Sequence, residues 1–182
     1  MQIQAPAKLN LCLYLGDRRE DGLHELCSLF EPLALGDPIE VSEAERDEVV
    51  CPGVEGENLA ARALAALREA GWSRPPLRIE IEKRTPVAAG LGGGSADAAA
   101  VLRLAAGEVA ELEQIAAALG ADVPSQLLPA LALVRGAGEE VERLPSPAAH
   151  AVVLLPGGGG LSTAAVFAEA DRLGLGRPAA EL

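Results

Sequence analysis

Alternating apolar and polar residues at the start of the chain predict a β-strand. In residues 2–14 the apolar side chains occupy the odd positions from Ile3 to Leu13, whereas Lys8 and Asn10 share the other face. A period of two residues is typical of a strand with one buried face. We therefore expect Lys8 and Asn10 to project from the same side of an N-terminal strand, roughly 7 Å apart.

The remaining pattern predicts a sheet accompanied by helices. Strands are expected at residues 24–35, 39–42, 77–81, 131–135 and 151–155, and helices at 59–70, 95–106, 112–119 and 163–172, with a short helix from Pro124. Residues 43–56 are acidic and turn-rich, which predicts a surface connection, and 157–160 predict a flexible turn. Strands and helices intermix along the chain, so the fold class is α+β or α/β.

Composition limits the classes of partner. The chain has 182 residues, enough for one domain or one domain plus part of a second, and a formal net charge of −12. A nucleic-acid-binding or anionic-membrane surface is therefore not expected. A phosphorylated small molecule can still bind at a local cationic site. The chain has just two lysines, so Lys8 within a strand stands out.

The cysteines and the N-terminus favour a cytoplasmic protein. Cys12, Cys27 and Cys51 are odd in number and lack metal-ligand spacing, which favours a reducing compartment and a role in packing. The first residues do not have the charged and apolar regions of a signal peptide, and no apolar run is long enough to cross a bilayer.

A glycine-rich segment is the most informative feature of the sequence. In residues 90–97, four of the first five residues are glycine, and an alanine-rich helix is predicted to follow. Glycine allows the backbone to approach a ligand, and a helix N-terminus attracts anions, so the segment predicts a phosphate site. Its sequence matches neither the P-loop nor the dinucleotide motif. A glycine turn without a ligand is the alternative.

Three features could form a site for phosphoryl transfer. The glycine loop would hold a nucleotide triphosphate, with Ser95 adding a hydroxyl to phosphate or Mg²⁺; Lys8 would be the cation; and Asp122 would orient or deprotonate an acceptor hydroxyl. Each residue has a simpler interpretation. Lys8 could be solvated on a strand face, and Asp122 and Asn58 could be helix N-caps. From the residues alone, a structural role is also the default for His24.

Four motifs in order resemble a known family. Residues 86–95 are similar to the phosphate loop of the GHMP kinases, which include the galactose, homoserine, mevalonate and phosphomevalonate kinases. The triple glycine before Ser95, with residues 6–11, 21–26 and 120–124, resembles one branch of that family. Its members use ATP to phosphorylate the 2-hydroxyl of 4-diphosphocytidyl-2-C-methyl-D-erythritol in the non-mevalonate isoprenoid pathway.

The resemblance implies a role for each matching residue. Asp122 would be the catalytic base, Lys8 would keep it ionised and stabilise the transferred charge, and Asn10 would position the substrate. His24 would read the cytosine edge, with Thr163 and Phe167 closing on the cytidine. The implied ATP site comprises Asn58, Pro86, Gly90, Leu91, Gly92, Gly93, Gly94 and Ser95. Mg²⁺ would arrive with ATP rather than in a dedicated cage of protein ligands.

The resemblance also implies the domain organisation. Residues 1–148 would form an α+β GHMP-kinase N-terminal domain of the ribosomal protein S5 domain 2-like type, and 149–182 would begin a C-terminal domain that is otherwise missing. Leu23 replaces the tyrosine that commonly precedes the histidine, so one aromatic wall of the cytosine site would be lost.

The implied protein is a cytoplasmic transferase with a small-molecule substrate, acting as a monomer or weak homodimer. Two alternatives remain open at this stage. One is a GHMP kinase for a different alcohol or phosphate substrate, against which His24 and Phe167 argue. The other is a non-catalytic nucleotide-binding fragment, which the missing C-terminal part favours.

Overall fold

A six-stranded mixed sheet organises the chain. The computed structural model describes residues 1–155, 162–178 and 181–182. The strands are β1 (Gln2–Arg18), β2 (His24–Glu43), β3 (Glu48–Val50), β4 (Leu77–Ile81), β5 (Ala132–Gly136) and β6 (Glu140–Arg143). The helices are α1 (Leu59–Glu69), α2 (Gly93–Arg103), α3 (Leu112–Leu119), α4 (Val123–Gln126) and α5 (Thr163–Leu173). The α+β class expected from the sequence is confirmed.

The long strand β2 lies at the centre of the sheet. It pairs with β1 on one side, and on the other with β5 near its start and β4 near its end; all three pairings are antiparallel. β3 lies parallel to β4 at one edge, and β6 lies beside β5 at the other. Since β2 contacts three other strands, it connects the two ends of the sheet.

Helices α1 and α2 pack with the sheet to form the main core. Leu67 from α1 and Ile39 and Ile79 from the sheet are fully buried within it. The four alanines of α2 are also fully buried: Ala96, Ala98, Ala99 and Ala100. Their small side chains allow α2 to lie close to its neighbours, as the sequence predicts.

The register keeps Lys8 and Asn10 on one face of the hairpin formed by β1 and β2. Lys8 pairs with Pro32 and Asn10 with Phe30; the next irregularity begins after Asn10 and places an extra residue in β1. Between His24 and Pro32, β2 has no extra residue, so its even-numbered side chains share one face. That face therefore extends from the neighbourhood of Lys8 to His24.

Local patterns predicted most elements, with different boundaries. The N-terminal strand continues to Arg18, residues 24–35 and 39–42 join in one strand, and α2 begins at Gly93 rather than Ser95. The predicted surface connection 43–56 contains the short strand β3, which pairs with β4. Strand β6 was also missed, because three or four residues with half-exposed side chains give little periodicity.

The strand predicted at 151–155 was wrong. These residues have no regular secondary structure, and Val153 and Leu155 are more than four-fifths exposed. A strand requires a hydrogen-bonded neighbour, and no described residue pairs with this segment. The turn predicted at 157–160 lies outside the described residues. The domain boundary after residue 148 remains a prediction.

Within the described residues, no helix has the length and apolar character needed to cross a membrane.

Candidate active site

The glycine loop ends in an uncapped helix N-terminus. Gly92 is the N-cap residue of α2, in the left-handed conformation with φ +66°, and no side chain caps the helix. The first N–H groups of a helix have no partner within it, and the positive end of the helix dipole lies beside them. This end of α2 therefore offers hydrogen-bond donors to an anion.

Close packing explains two of the loop glycines. A Cβ atom on Gly92 would lie 2.9 Å from Cγ of Lys8, and one on Gly93 would lie 2.9 Å from both Nζ of Lys83 and Cγ2 of Thr85. Any larger residue at 92 would also be strained by the positive φ. The loop thus rests directly on both lysines of the chain.

Lys8 brings together the residues predicted to carry the chemistry. Its Nζ lies 3.4 Å from Oδ2 of Asp122, donates a hydrogen bond of 2.6 Å to Oδ1 of Asn10 and lies 4.6 Å from the centre of the Phe30 ring. Its backbone N–H donates to the Leu91 carbonyl at 2.9 Å. One buried residue therefore contacts the glycine loop, a carboxylate and an amide.

Asp122 is not a capping residue in this structure. It occupies the N-cap position of α4, but its side chain makes no capping hydrogen bond. The carboxylate lies beside Lys8 and is about one-third exposed. Asn10 is held on its other side, because its Nδ2 donates to Oγ of Ser28 at 2.8 Å. Lys8, Asn10 and Asp122 are thus held together by polar contacts, and the Asp122 carboxylate remains accessible to a ligand.

Asn58 and Leu59 begin α1 near the loop. Oδ1 of Asn58 accepts a hydrogen bond of 2.8 Å from the Ala60 N–H, so the predicted N-cap is confirmed. Cδ1 of Leu59 lies 3.8 Å from the position of a Cβ on Gly94. This packing brings the start of α1 to the same helix terminus as the loop.

His24 and Phe167 meet at the far end of the hairpin. Their ring centres are 5.3 Å apart, and Nε2 of His24 lies 2.7 Å from Oδ1 of Asp171. Thr163 is exposed at the first position of α5, one turn before Phe167. Asp171 was not predicted as a site residue, because 147 residues separate it from His24.

A buried ion cluster beneath the loop was also missed. Nζ of Lys83 lies 2.6 Å from Oδ2 of Asp37 and 2.7 Å from Oδ2 of Asp97. Asp37 also accepts hydrogen bonds from the backbone N–H groups of Arg84 and Thr85. The signal in the sequence was the rarity of lysine, because Lys83 is one of just two lysines in the chain.

The two carboxyl groups of this cluster have opposite pKa shifts. Burial raises the pKa of Asp97 to about 6, although Lys83 opposes the shift. The pKa of Asp37 is lowered: burial opposes the change, but the bonds from Lys83, Thr85 and Arg84 outweigh it. Oδ1 of Asp97 has no hydrogen-bond partner in the described structure, which agrees with the direction of its shift.

Comparison with known families identifies this region. Residues 58–129, which include α1, the glycine loop and Asp122, match the model described as GHMP kinases N terminal domain. Over these residues the chain is similar to the N-terminal domain of the GHMP kinases.

Individual relatives carry more specific names. A 4-diphosphocytidyl-2-C-methyl-D-erythritol kinase of Kineococcus radiotolerans is 39% identical over 186 residues, covering 93% of this chain and 57% of the relative. The kinase of the same name from Anaeromyxobacter dehalogenans is 45% identical over 164 residues, covering 84% and 52%. The chain thus spans a little over half the length of these relatives.

Solved structures agree with the GHMP kinase fold. A crystal structure of 4-(cytidine 5'-diphospho)-2C-methyl-D-erythritol kinase has a TM-score of 0.70 and 47% identity, with coverage of 81% of this chain and 56% of the other. The mevalonate kinase of Methanococcus jannaschii has a TM-score of 0.57 at 14% identity, with coverage of 80% and 56%. The second similarity concerns the fold alone.

The Asp97→Asn variant should be more stable than the wild type near neutral pH. The raised pKa means that the folded state holds the Asp97 proton up to about pH 6, whereas the unfolded chain releases it near the ordinary value of 3.8. Ionised Asp97 therefore lowers stability above pH 6, and this cost disappears as the pH falls towards 4. Asparagine cannot ionise, so we expect a gain of roughly 1–3 kcal/mol at pH 7.5.

Chemical denaturation between pH 4 and 8 would measure this difference. Asp47→Asn is the matched control with the opposite sign, because Arg68 lowers the pKa of Asp47 and the ionised form stabilises the fold. That control should be destabilised at pH 7.5. A loss of stability in Asp97→Asn at pH 7.5 would contradict the prediction.

Proposed function

We propose that the chain forms the ATP-binding half of a kinase that phosphorylates the 2-hydroxyl of 4-diphosphocytidyl-2-C-methyl-D-erythritol. The observation that carries this proposal is the Lys8–Asp122 pair, which lies against a glycine loop with an open helix N-terminus. Phosphoryl transfer requires these parts together: a phosphate cradle, a cation and a carboxylate near the acceptor hydroxyl. The names of the relatives reported above support the same assignment.

The proposed ATP site follows the loop into α1. The N–H groups at the start of α2 would bind the triphosphate, and Asn58 would face the adenine while still capping α1. Pro86 and residues 90–95 would complete the site. The half-buried hydroxyl of Ser95 lies in the first turn of α2 and fits Mg²⁺, which would neutralise charge on the bound triphosphate and take its other ligands from phosphate and water.

The proposed chemistry depends on positioning and electrostatics. Asp122 would accept the proton of the substrate hydroxyl as that oxygen attacks the γ-phosphate, and the bond from the γ-phosphorus to the departing ADP would break. Lys8, whose Nζ lies 3.4 Å from Asp122, would stabilise the negative charge on the transferred phosphoryl group. Asn10, fixed between Lys8 and Ser28, would orient the substrate beside both groups. No covalent enzyme intermediate is required.

The length of the hairpin face favours an extended acceptor. His24 and Phe30 are six residues apart on β2, or about 20 Å at about 3.3 Å per residue. An acceptor with a nucleobase near His24 and a hydroxyl near Asp122 would span this face, whereas a small alcohol would not. Phe167 would stack on one side of the base, and Leu23, which is about half exposed, would replace an aromatic wall on the other.

We infer a small-molecule enzyme that acts as a monomer or weak homodimer. The cytoplasm supplies ATP and suits the three free cysteines.

The Asp122→Asn variant should lose most turnover and keep ATP binding. Asparagine preserves the size of the side chain but cannot accept the hydroxyl proton, so we expect kcat to fall at least 100-fold. Calorimetry with an ATP analogue should give a Kd within about threefold of the wild type.

Asp17→Asn, on the exposed end of β1, is the control and should behave as the wild type. The experiment measures phosphate transfer from ATP to the cytidyl substrate in the presence of Mg²⁺. Near-normal turnover in Asp122→Asn would reject the base assignment. Absence of transfer by the wild type, with ATP bound, would favour the non-catalytic alternative.

The Phe167→Leu variant should bind cytidine nucleotides less tightly. Stacking of a base on an aromatic ring contributes about 1–3 kcal/mol, so we expect a loss of roughly 5- to 100-fold in affinity for CDP. Fluorescence or calorimetric titration with CDP would measure the change, with the ATP analogue as an internal control. Val166→Leu, its exposed neighbour, should leave both affinities unchanged. Equal CDP binding by Phe167→Leu and wild type would exclude stacking on this ring.

A further inference from the structure

The second lysine of the chain occupies an unusual position beneath the glycine loop. Nζ of Lys83 lies 2.9 Å from the position of a Cβ on Gly93, the first residue of α2. The same atom contacts Asp97, one turn further along α2, and Asp37 in β2. Lys83 therefore links the start of the helix to the central strand of the sheet.

Both partners of Lys83 are held in place, Asp37 by further hydrogen bonds and Asp97 by its burial in α2. Asp37 is fully buried and accepts two backbone hydrogen bonds of 2.7 Å, from Arg84 and Thr85. Asp97 is nearly as buried and belongs to the first turn and a half of α2. Since the ammonium lies between two buried carboxylates, it has little freedom to leave Gly93.

Stability alone does not account for the cluster. Two carboxylates and one ammonium carry a net charge of −1 in a buried position, and an apolar cluster of the same volume would avoid the cost of removing these charges from water. A polar atom of Asp97 and the hydroxyl of Thr85 also lack hydrogen-bond partners among the described residues. Costly polar groups of this kind concentrate at functional sites.

We propose that Lys83 is a positioning residue for the proposed ATP site, and that its bridge from Asp37 to Asp97 holds the N-terminus of α2 where the triphosphate binds. The inference rests on the proposed function. Lys8 fixes the Gly92 side of the loop, and Lys83 fixes the Gly93 side. The phosphate-binding N–H groups are thus set by two lysines, one in β1 and the other in the segment that follows β4.

The ionisable groups around Lys83 determine which variants can test the proposal. Besides Asp37 and Asp97, the ionisable Cys51 lies near the cluster, where burial raises the pKa of its thiol. Lys83→Met alone would leave two buried carboxylates without a cation and endanger folding. The double variant Lys83→Met/Asp97→Asn removes the bridge and leaves only Asp37, which keeps its two backbone hydrogen bonds.

Arg78→Met is the matched control. Arg78 also contacts two carboxylates, Glu48 and Glu80, but at the exposed surface and away from the loop. The single variant Asp97→Asn weakens one half of the bridge but retains Lys83 and its pair with Asp37, so its KM for ATP should lie between those of the wild type and the double variant.

Two measurements test the proposal. Amide hydrogen exchange of the nucleotide-free protein should be faster at residues 91–96 in the double variant and unchanged within α1. The KM for ATP should rise roughly 10- to 100-fold, since a displacement of about 1 Å at a binding site can have an effect of that size. The KM for the cytidyl substrate should change less than twofold, because His24 lies at the other end of β2. The Arg78→Met control should match the wild type in both measurements.

The outcomes separate this inference from the proposed function. Wild-type exchange at residues 91–96 in the double variant would overturn the positioning role, whatever the enzyme does. Faster exchange with an unchanged KM for ATP would also overturn it, because the bridge would then be structural. If the wild type bound no ATP analogue, the proposed function would fail, and the nucleotide part of this inference would fail with it.

Discussion

The contact between Gly92 and the side chain of Lys8 sets the geometry of the site. Because glycine has no Cβ, the loop approaches the methylene groups of Lys8 more closely than any other residue would permit. The ammonium is thereby kept within reach of Asn10 and Asp122. The same contact therefore fixes both the Lys8 ammonium and the phosphate loop.

The pairing of Lys8 with Asp122 depends on hydrogen bonds that connect α4 to β1. The guanidinium of Arg103, at the end of α2, donates to the Gln126 carbonyl in α4 and to the Gln4 carbonyl in β1. The fully buried alanines of α2 let the helix lie close enough for this link. Asp122 at the start of α4 therefore reaches Lys8, although 114 residues separate them in the sequence. The small alanines of α2 and the long side chain of Arg103 thus bring the Asp122 carboxylate to the Lys8 ammonium.

Sequence patterns predicted the features that depend on neighbours along the chain. The shared face of Lys8 and Asn10, the cap at Asn58 and the helix after the glycines follow from periods of two or 3.6 residues and from helix-end preferences. The links of Lys83 to Asp37 and of His24 to Asp171 span 46 and 147 residues and leave no local signal. The strand expected at 151–155 failed for a related reason: alternation predicts a strand, but a strand forms only where a partner is available.

The chain also illustrates how an acidic protein can be suited to a polyanion. Its net charge of −12 opposes unspecific attraction of nucleotides at long range. At the loop, however, the charge that matters is on two lysines, and each is held by carboxylates of the same site. Those carboxylates weaken the local positive potential, but their contacts fix the positions of the two ammonium groups. Recognition would then depend on where the cations and helix N–H groups lie relative to one another, so a ligand of the wrong shape gains little from the charge alone.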